Sequence, residues 1–475
     1  MQCQAQDAEL QINTQTLMKH ILLITSAVAG LFLASCSGTK NLTPASLDLP
    51  DYITLADDSA ASLADMHWWQ VYTDSTLAGL IERVLANNPD LEIAAERIEQ
   101  LRELYGIEKL NYAPTVTAFA AADQETNHYD GEDFKRDREF DFKATLNWEI
   151  DLWGGLSARK RAAGARFEAS REDYRAMQMS LIASTATAYF NLVALQCRRE
   201  IVQRTLVTRL ESVEKARLRY EGGLTSELVY QQAQVEYATA AAMLPEVEAA
   251  IDRAKNVITL LAGEYPGTLD FDGNMHLLLE RPAEFPLTVS SALIQRRPDL
   301  RSAELDLRAA SANVGVAWSD QFPRLRIGLT GGWENDEAAD LFKSPFSYII
   351  GNISGTVLDF RRNRRRYKAS IHAYEQARLA YERDVMTAFT EVRDAITSHT
   401  AARSTADLRR TLMDAAGKYV TLATRQYLGG SINYLDVLDA YRRYFDAQIS
   451  MIEAARNEYL TVVTLYKALG GGWTD

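Results

Sequence analysis

Cysteine is almost missing from this chain: Cys3, Cys36 and Cys197 are its only three in 475 residues. They are too few and too scattered for a disulfide framework or a thiolate zinc site. Histidine is scarce as well, and the six (His20, His67, His128, His276, His372 and His399) show no i, i+4 pairing on one helix, so neither a metal site nor any other cofactor is expected. Positive charge is in deficit, with 51 Lys and Arg against 64 Asp and Glu and a net charge of −13. That balance argues against general nucleic-acid binding and suits a well-solvated surface. After the N-terminal region there is no run of about 20 apolar residues, so a transmembrane helix is excluded. No nucleophile–base pair or phosphate loop appears either, and an enzyme is the weakest functional reading.

Proline is missing where its absence matters most. Gly155 to Glu221 contains none, and only Gly164 weakens the interior of the stretch. It is dense in Ala, Leu, Glu, Arg and Gln, which lose little entropy on becoming helical. As one helix it would be roughly 100 Å long, against about a dozen residues for an ordinary globular helix. A second stretch of the same kind runs from Arg362 to Leu428. Neither can wrap a compact core.

The N-terminal region has a different character. Met18-Lys19-His20, an apolar run from Ile21 to Leu33, and Ala34-Ser35-Cys36 read as a basic segment, a hydrophobic segment too short to span, and a cleavage site, hence an export signal. Leu33-Ala34-Ser35-Cys36 resembles a bacterial lipobox, which makes Cys36 the expected lipidated first residue, with Ser37 in the pattern of outer-membrane lipoproteins. Residues 1–17 are then an extension before the true start, 18–35 the signal, and 36–66 a lipidated tether rich in Ser, Gly, Thr and Pro near its beginning. Acyl chains contribute ~0.8 kcal/mol of membrane affinity per buried CH₂.

The rest of the chain is one unit written twice. Asn88-Pro89-Asp90-Leu91 returns as Arg297-Pro298-Asp299-Leu300, Tyr220-Glu221-Gly222-Gly223 as Tyr427-Leu428-Gly429-Gly430, and Leu261-Ala262-Gly263 as Ala468-Leu469-Gly470. Pro114 and Pro323 stand at matching distances from the first pair. We place the first repeat at 67–267, a linker at 268–285 and the second repeat at 286–475. Each repeat reads as a short helix (Leu77–Asn87; Val289–Arg296), a Pro-Asp turn and a longer helix (Leu91–Asn111; Leu300–Asp320). Two strands follow, about 115–128 and 139–152, then 323–335 and 346–360. A helical hairpin completes each repeat, over 155–263 and 362–470, with a Gly-Gly tip. Glycine past a helix end supplies a left-handed cap, and Thr225, Ser226, Ser431 and Asn433 can cap the returning helices (Glu227–Leu261; Tyr434–Ala468). Pro245 inside the first returning helix should bend it.

Phe140 to Leu152 alternates without a break. Phe140, Phe142, Ala144, Leu146, Trp148, Ile150 and Leu152 lie on one face, and Asp141, Lys143, Thr145, Asn147, Glu149 and Asp151 on the other. Period two over such a length is a strand with one apolar and one polar face, and about 9–11 residues suffice for a barrel strand to cross a bilayer. Trp148, Trp153 and Trp333 suit an interfacial aromatic girdle. The alternative is a half-buried strand of a soluble sheet, though strands this long are uncommon there. Leu325, Ile327, Leu329 and Trp333 alternate in the same sense. Four strands per chain cannot close a membrane barrel, whose smallest form has eight, and an open edge in lipid is not tolerated. Several chains must therefore share one barrel.

In the second long helix Ile371, Tyr374, Tyr381, Val385, Ala388, Val392 and Ala395 form a heptad-like stripe interrupted by Arg378. The first carries many alanines that permit close approach. Such helices can form a curved wall around water; a plain coiled-coil rod explains the helices but neither the strands nor the duplication.

These residues carry a family resemblance. Trp68-Trp69-Gln70-Val71-Tyr72-Thr73-Asp74, Asn88-Pro89-Asp90-Leu91, Tyr112-Ala113-Pro114, Leu244-Pro245-Glu246-Val247-Glu248-Ala249, Arg297-Pro298-Asp299-Leu300, and Asn433-Tyr434-Leu435 through Asp439-Ala440 resemble the TolC-like outer-membrane efflux proteins, in their lipoprotein (NodT-type) branch. The resemblance implies a mainly α chain with membrane β structure. As a homotrimer it would form a 12-stranded β-barrel continued by a 12-helix periplasmic α-barrel. It implies a passive exit duct for small molecules, with an inner-membrane pump of the resistance-nodulation-division (RND) type and a periplasmic adaptor as partners, in contact with outer-membrane lipid. The tips at Gly222-Gly223 and Gly429-Gly430 would face the pump and iris open. An exit duct for type I protein secretion shares the fold and is the competing reading. A periplasmic adaptor would carry one hairpin and no duplicated strand pairs.

Two departures from the family pattern stand out. The family often has an acidic residue just before the Asn-Tyr of the second tip, where this chain has Ile432. Asp436 and Asp439 lie one and two turns on; they can restore an acidic gate or be ordinary helix-start carboxylates favoured by the dipole. The other is Arg361-Arg362-Asn363-Arg364-Arg365-Arg366, where the first repeat has Trp153-Gly154-Gly155-Leu156. Positive charge at a helix start opposes the macrodipole, so the run is read as contacting anionic lipid, contacting a neighbouring protomer, or simply solvated.

Overall fold

The computed structural model describes residues 71, 74–128, 130, 135–282, 296–355 and 361–471. Cys36, the Trp68-Trp69 segment, nearly all of the helix expected at 289–296 and the end of the fourth strand lie outside them. In order, the elements are α1 (Ser75–Asn87), α2 (Pro89–Leu110), β1 (Thr115–Asn127), β2 (Lys135–Ile150), α3 (Gly155–Glu221), α4 (Glu227–Leu261), a 3-10 turn (Met275–Leu279), α5 (Pro298–Ser319), β3 (Arg324–Asn335), a second 3-10 turn (Ala338–Lys343), β4 (Pro345–Ser354), α6 (Arg362–Leu428) and α7 (Tyr434–Ala468). The two long helices have the expected bounds, 67 residues each, and α4 continues through Pro245.

The chain divides into two compact units. The first includes Gln100–Glu168 and Glu304–Ala380 and holds a four-stranded antiparallel sheet in the order β1-β2-β3-β4. Each repeat contributes one hairpin, and the hairpins join through β2 and β3, with Leu146 opposite Leu329 and Trp148 opposite Ile327. β1 and β4 are the edges. The strand expected to reach Leu152 stops at Ile150, because Asp151 leaves the ladder to cap α3. Its carboxylate accepts from the N–H of Leu156 (3.0 Å) and of Ser157 (2.8 Å), filling donors that a helix start leaves open.

The second unit includes Ala169–Ala303 and Tyr381–Asp475 and holds the core. Tyr189, Phe190, Leu192 and Val193 of α3 pack with Leu77 and Ile81 of α1, Ile251 and Ile258 of α4, and Phe445, Ile452 and Tyr459 of α7. Burying each such side chain contributes about 1.5–3 kcal/mol. The stripe on α6 faces inward: Val385, Ala388, Val392 and Ala395 pack with Leu300, Leu465 and Tyr466. Asp74 caps α1 through the Leu77 N–H (2.9 Å) and accepts the Tyr189 hydroxyl (2.8 Å), which ties the α1 start to the core.

Candidate functional site: a two-faced sheet and paired helical tips

The sheet buries polar side chains at the centre of one face and exposes large apolar side chains on the other. On the polar face Asp141 and Thr330 are buried, and Lys143 and Thr145 are half-buried. Thr145 and Thr330 share a hydrogen bond across β2 and β3 (3.0 Å), Arg326 donates to Glu149 (3.0 Å), and Lys143 donates to Asp141 (2.8 Å). On the apolar face the large side chains stand open, with Val116 67 %, Ile349 73 % and Ile353 76 % exposed. Exposed apolar patches of this kind mark a surface that another apolar phase covers.

Aromatic residues gather at both ends of the strands. Near the hairpin loops Trp333 stacks on Phe142 at 6.0 Å and meets Phe342 edge-on at 5.5 Å. At the other end Trp153 stacks on Phe322 at 4.7 Å and donates to the Pro323 carbonyl (2.7 Å). Trp148, 42 % exposed, donates to the Tyr112 carbonyl (3.0 Å). The tryptophans were legible in the sequence; their pairing with particular phenylalanines was not, since only the folded chain brings them together.

The tips of the two hairpins share one geometry. Helix α3 ends with Gly222 N–H bonded to Leu218 O; Gly223 has φ +71°, its N–H meets Tyr220 O, and Leu224 N–H meets Arg219 O (2.8 Å). Helix α6 ends alike: Gly429 N–H bonds Arg425 O, Gly430 has φ +75° and bonds Tyr427 O, and Ser431 N–H bonds Gln426 O (2.9 Å). This is the Schellman pattern, in which a left-handed glycine lets the last carbonyls find partners.

Around the second tip Ile432 is half-buried against the cluster of Ala423, Val437 and Ala440. Asp436 reaches back to accept the Asn433 N–H (3.1 Å). Asp439 accepts from Arg443 and Arg442, each at 2.6 Å, and these two guanidiniums, Arg443 foremost, hold its carboxyl below the ordinary carboxylate range. Both carboxylates thus have local partners. Leu224, Leu228 and Leu428 are 72 %, 63 % and 79 % exposed. A groove of about 370 Å³ runs between α4 and α7, lined by Leu228, Gln232, Val235, Leu435, Asp439 and Arg442 among others.

The arginine run opens α6. Arg361 has φ +67°, the one non-glycine with positive φ among the described residues. Arg362, Arg364, Arg365 and Arg366 are exposed, and Asn363 donates to the Asp320 carbonyl (3.0 Å). One grouping escaped sequence reasoning altogether: Glu139, Asp141 and Glu334 each bring a carboxylate oxygen within 4.8 Å of the others, although the last lies in the other repeat.

A duplicated chain whose sheet turns apolar side chains outward and whose long helical hairpins end in glycine tips has the architecture of an outer-membrane channel. The outer membrane efflux protein family matches residues 80–264 and 289–471, and the chain belongs to that family. It is 30 % identical over 430 residues to the probable efflux pump outer membrane protein SepC of Pseudomonas putida, covering 87 % of this chain and 86 % of that protein. It is 29 % identical over 410 residues to the solvent efflux pump outer membrane protein SrpC of Pseudomonas putida, covering 85 % and 87 %. Among solved structures the outer-membrane channel OprN superposes with a TM-score of 0.83 at 28 % identity, covering 90 % of this chain and 98 % of that one. The protein is thus an outer-membrane efflux channel with the TolC-like fold, and not an enzyme.

Proposed function

We propose that three copies of this chain close one 12-stranded barrel in the outer membrane, continued by a 12-helix periplasmic duct. The duct passes small molecules from an inner-membrane RND-type pump, through a periplasmic adaptor, to the exterior. The observation that carries this reading is the sheet: large apolar side chains stand exposed on its apolar face, polar side chains are buried at the centre of the other, and β1 and β4 leave two unpaired edges. An edge in hydrocarbon leaves backbone groups unsatisfied at several kcal/mol each, so the edges pair with those of neighbouring copies. Relatives named for solvent efflux support small apolar cargo.

In this reading Trp148, Trp153 and Trp333 sit at the lipid interfaces and Cys36 is acylated. The exposed leucines beside Gly222-Gly223 and Gly429-Gly430, with the α4–α7 groove, receive the adaptor. Ile432 makes the gate apolar, while Asp436 and Asp439 serve the start of α7. Divalent cations at the tip therefore do not block conductance, and Asp436→Ala with Asp439→Ala leaves it unchanged; block relieved by those substitutions would establish an acidic gate instead.

Deleting the gene should raise susceptibility to solvents and apolar drugs several-fold, restored by the intact gene. Unchanged susceptibility with loss of a secreted protein would favour the type I secretion duct.

A further inference from the structure

The sheet carries an acidic cluster that the efflux reading leaves unused. Asp141 on β2 lies directly opposite Glu334 on β3, and Glu139 precedes Asp141 by two residues, so strand alternation places all three side chains on the polar face. They lie toward the hairpin-loop end of the strands. Like charges directly opposite one another destabilise a sheet, and here three carboxylates meet.

Lys143 answers only part of this charge. Its ammonium donates to Asp141 Oδ2 (2.8 Å) and lies 5.1 Å from the centre of the Phe119 ring. The Asp141 side chain is more than nine-tenths buried, at 9 % exposure. Its other oxygen, Oδ1, has no hydrogen-bond partner among the described residues. A buried charged oxygen left without a partner is costly, and the Glu139 and Glu334 carboxylates stand close to the same side chain.

We infer that Glu139, Asp141 and Glu334 form a site for a divalent cation, best matched by Ca²⁺. The donor set is all oxygen, which selects hard cations over zinc or copper. One carboxylate oxygen from each residue lies within 4.8 Å of the others. Ca²⁺ accepts about six to eight oxygen ligands in flexible geometry, whereas Mg²⁺ demands a near-ideal octahedron and keeps most of its waters, so carboxylates drawn from two strands suit the larger ion. Water completes the coordination. The ion ties β2 to β3, the one seam in the sheet where the two repeats join. The site lies within a single chain and does not depend on the efflux reading.

The test uses the full chain purified in detergent, with Tb³⁺ luminescence as the probe. Bound Tb³⁺ should be displaced by Ca²⁺ at concentrations at least several-fold below those of Mg²⁺. Asp141→Asn and Glu334→Gln should each weaken Tb³⁺ binding tenfold or more, and Lys143→Met, which frees Oδ2, should tighten it. Should Asp141→Asn fail to assemble, Glu334→Gln decides, because that side chain is exposed. The inference is overturned if the unmodified protein shows no Ca²⁺-displaceable Tb³⁺ emission, or if Tb³⁺ binds the Glu334 variant with unchanged affinity.

Discussion

The two repeats solve one structural problem with different residues. In the first, the side-chain amide of Asn88 donates to the Leu261 carbonyl at the end of the returning helix (2.8 Å), and its oxygen accepts from the N–H of Asp90 and Leu91. In the second, Arg297 donates to the corresponding Ala468 carbonyl (3.1 Å) and to Glu391 (2.8 Å), while its fork grips Asp299 at 2.7 and 3.1 Å. A neutral amide that also caps α2 has been exchanged for a guanidinium that spans three elements. Its two carboxylate partners offset its burial and keep it charged, its pKa raised. The requirement is the orphan carbonyl at a helix end; the side chain that answers it is free to vary.

The largest test of this comparison is at the glycines that follow. Gly263 has φ +70°, and a Cβ there would lie 2.2 Å from the Asn87 carbonyl oxygen; at Gly470, φ +92°, the nearest atom would be Arg297 Cγ at 3.1 Å. Both substitutions incur the left-handed penalty of about 1–2 kcal/mol, but only the first meets rigid backbone. Gly263→Ala should therefore lose about 3 kcal/mol or more, and Gly470→Ala about 1–2, measured by denaturation of the detergent-solubilised protein. Equal losses would break the comparison.

Next in size come the turn residues themselves. Arg297→Ala strands a carbonyl and two half-exposed carboxylates and should cost about 2–3 kcal/mol; Asn88→Ala, losing neutral hydrogen bonds, should cost about 1–2. The same assay ranks them.

A third contrast lies where strand passes into helix. Gly154 and Arg361 occupy the same left-handed turn, at φ +73° and +67°, but only one is glycine. Arg361→Gly should stabilise the fold by about 1 kcal/mol. If it instead weakens oligomer assembly, the arginine acts at an interface and is held against its backbone preference.

The smallest effect concerns a core position. Leu192 is fully buried in the first repeat, and its counterpart in the second is His399, 6 % exposed, sharing a hydrogen bond with Thr461 (3.0 Å). Burial, with Arg403 second, lowers the His399 pKa. A depressed histidine pKa means the unfolded chain binds the proton first, so its contribution is intact above the ordinary value near 6.5 and declines as pH falls below it. His399→Leu should flatten the melting temperature between pH 7.5 and 5.5.

Much of this was legible in the residues. The glycine tips, the Pro-Asp turns and the ends of both long helices follow from local chemistry that depends on a few neighbouring positions. The β2 faces follow from period two. What stayed hidden depends on distant pairing. Nothing local announces that Asp151 leaves the strand to cap α3, or that β2 of one repeat pairs with β3 of the other, which is the step that sets Asp141 against Glu334 and Trp333 against Phe142. Likewise the spacing of Asp436 and Asp439 marks both as candidate gate acids, but only the folded chain shows Asp439 gripped by two arginines and Asp436 turned back to the Asn433 N–H.

Four strands per chain are too few to stand alone in a membrane, so the channel depends on a barrel shared between chains. The most direct measurement is electrophoretic mobility in SDS before and after boiling, on protein extracted from the outer membrane. A shared barrel predicts an unheated species at three times the mass of the single chain, collapsing to one chain on heating. A single-chain band under both conditions, from protein that still fractionates with the outer membrane, would contradict it.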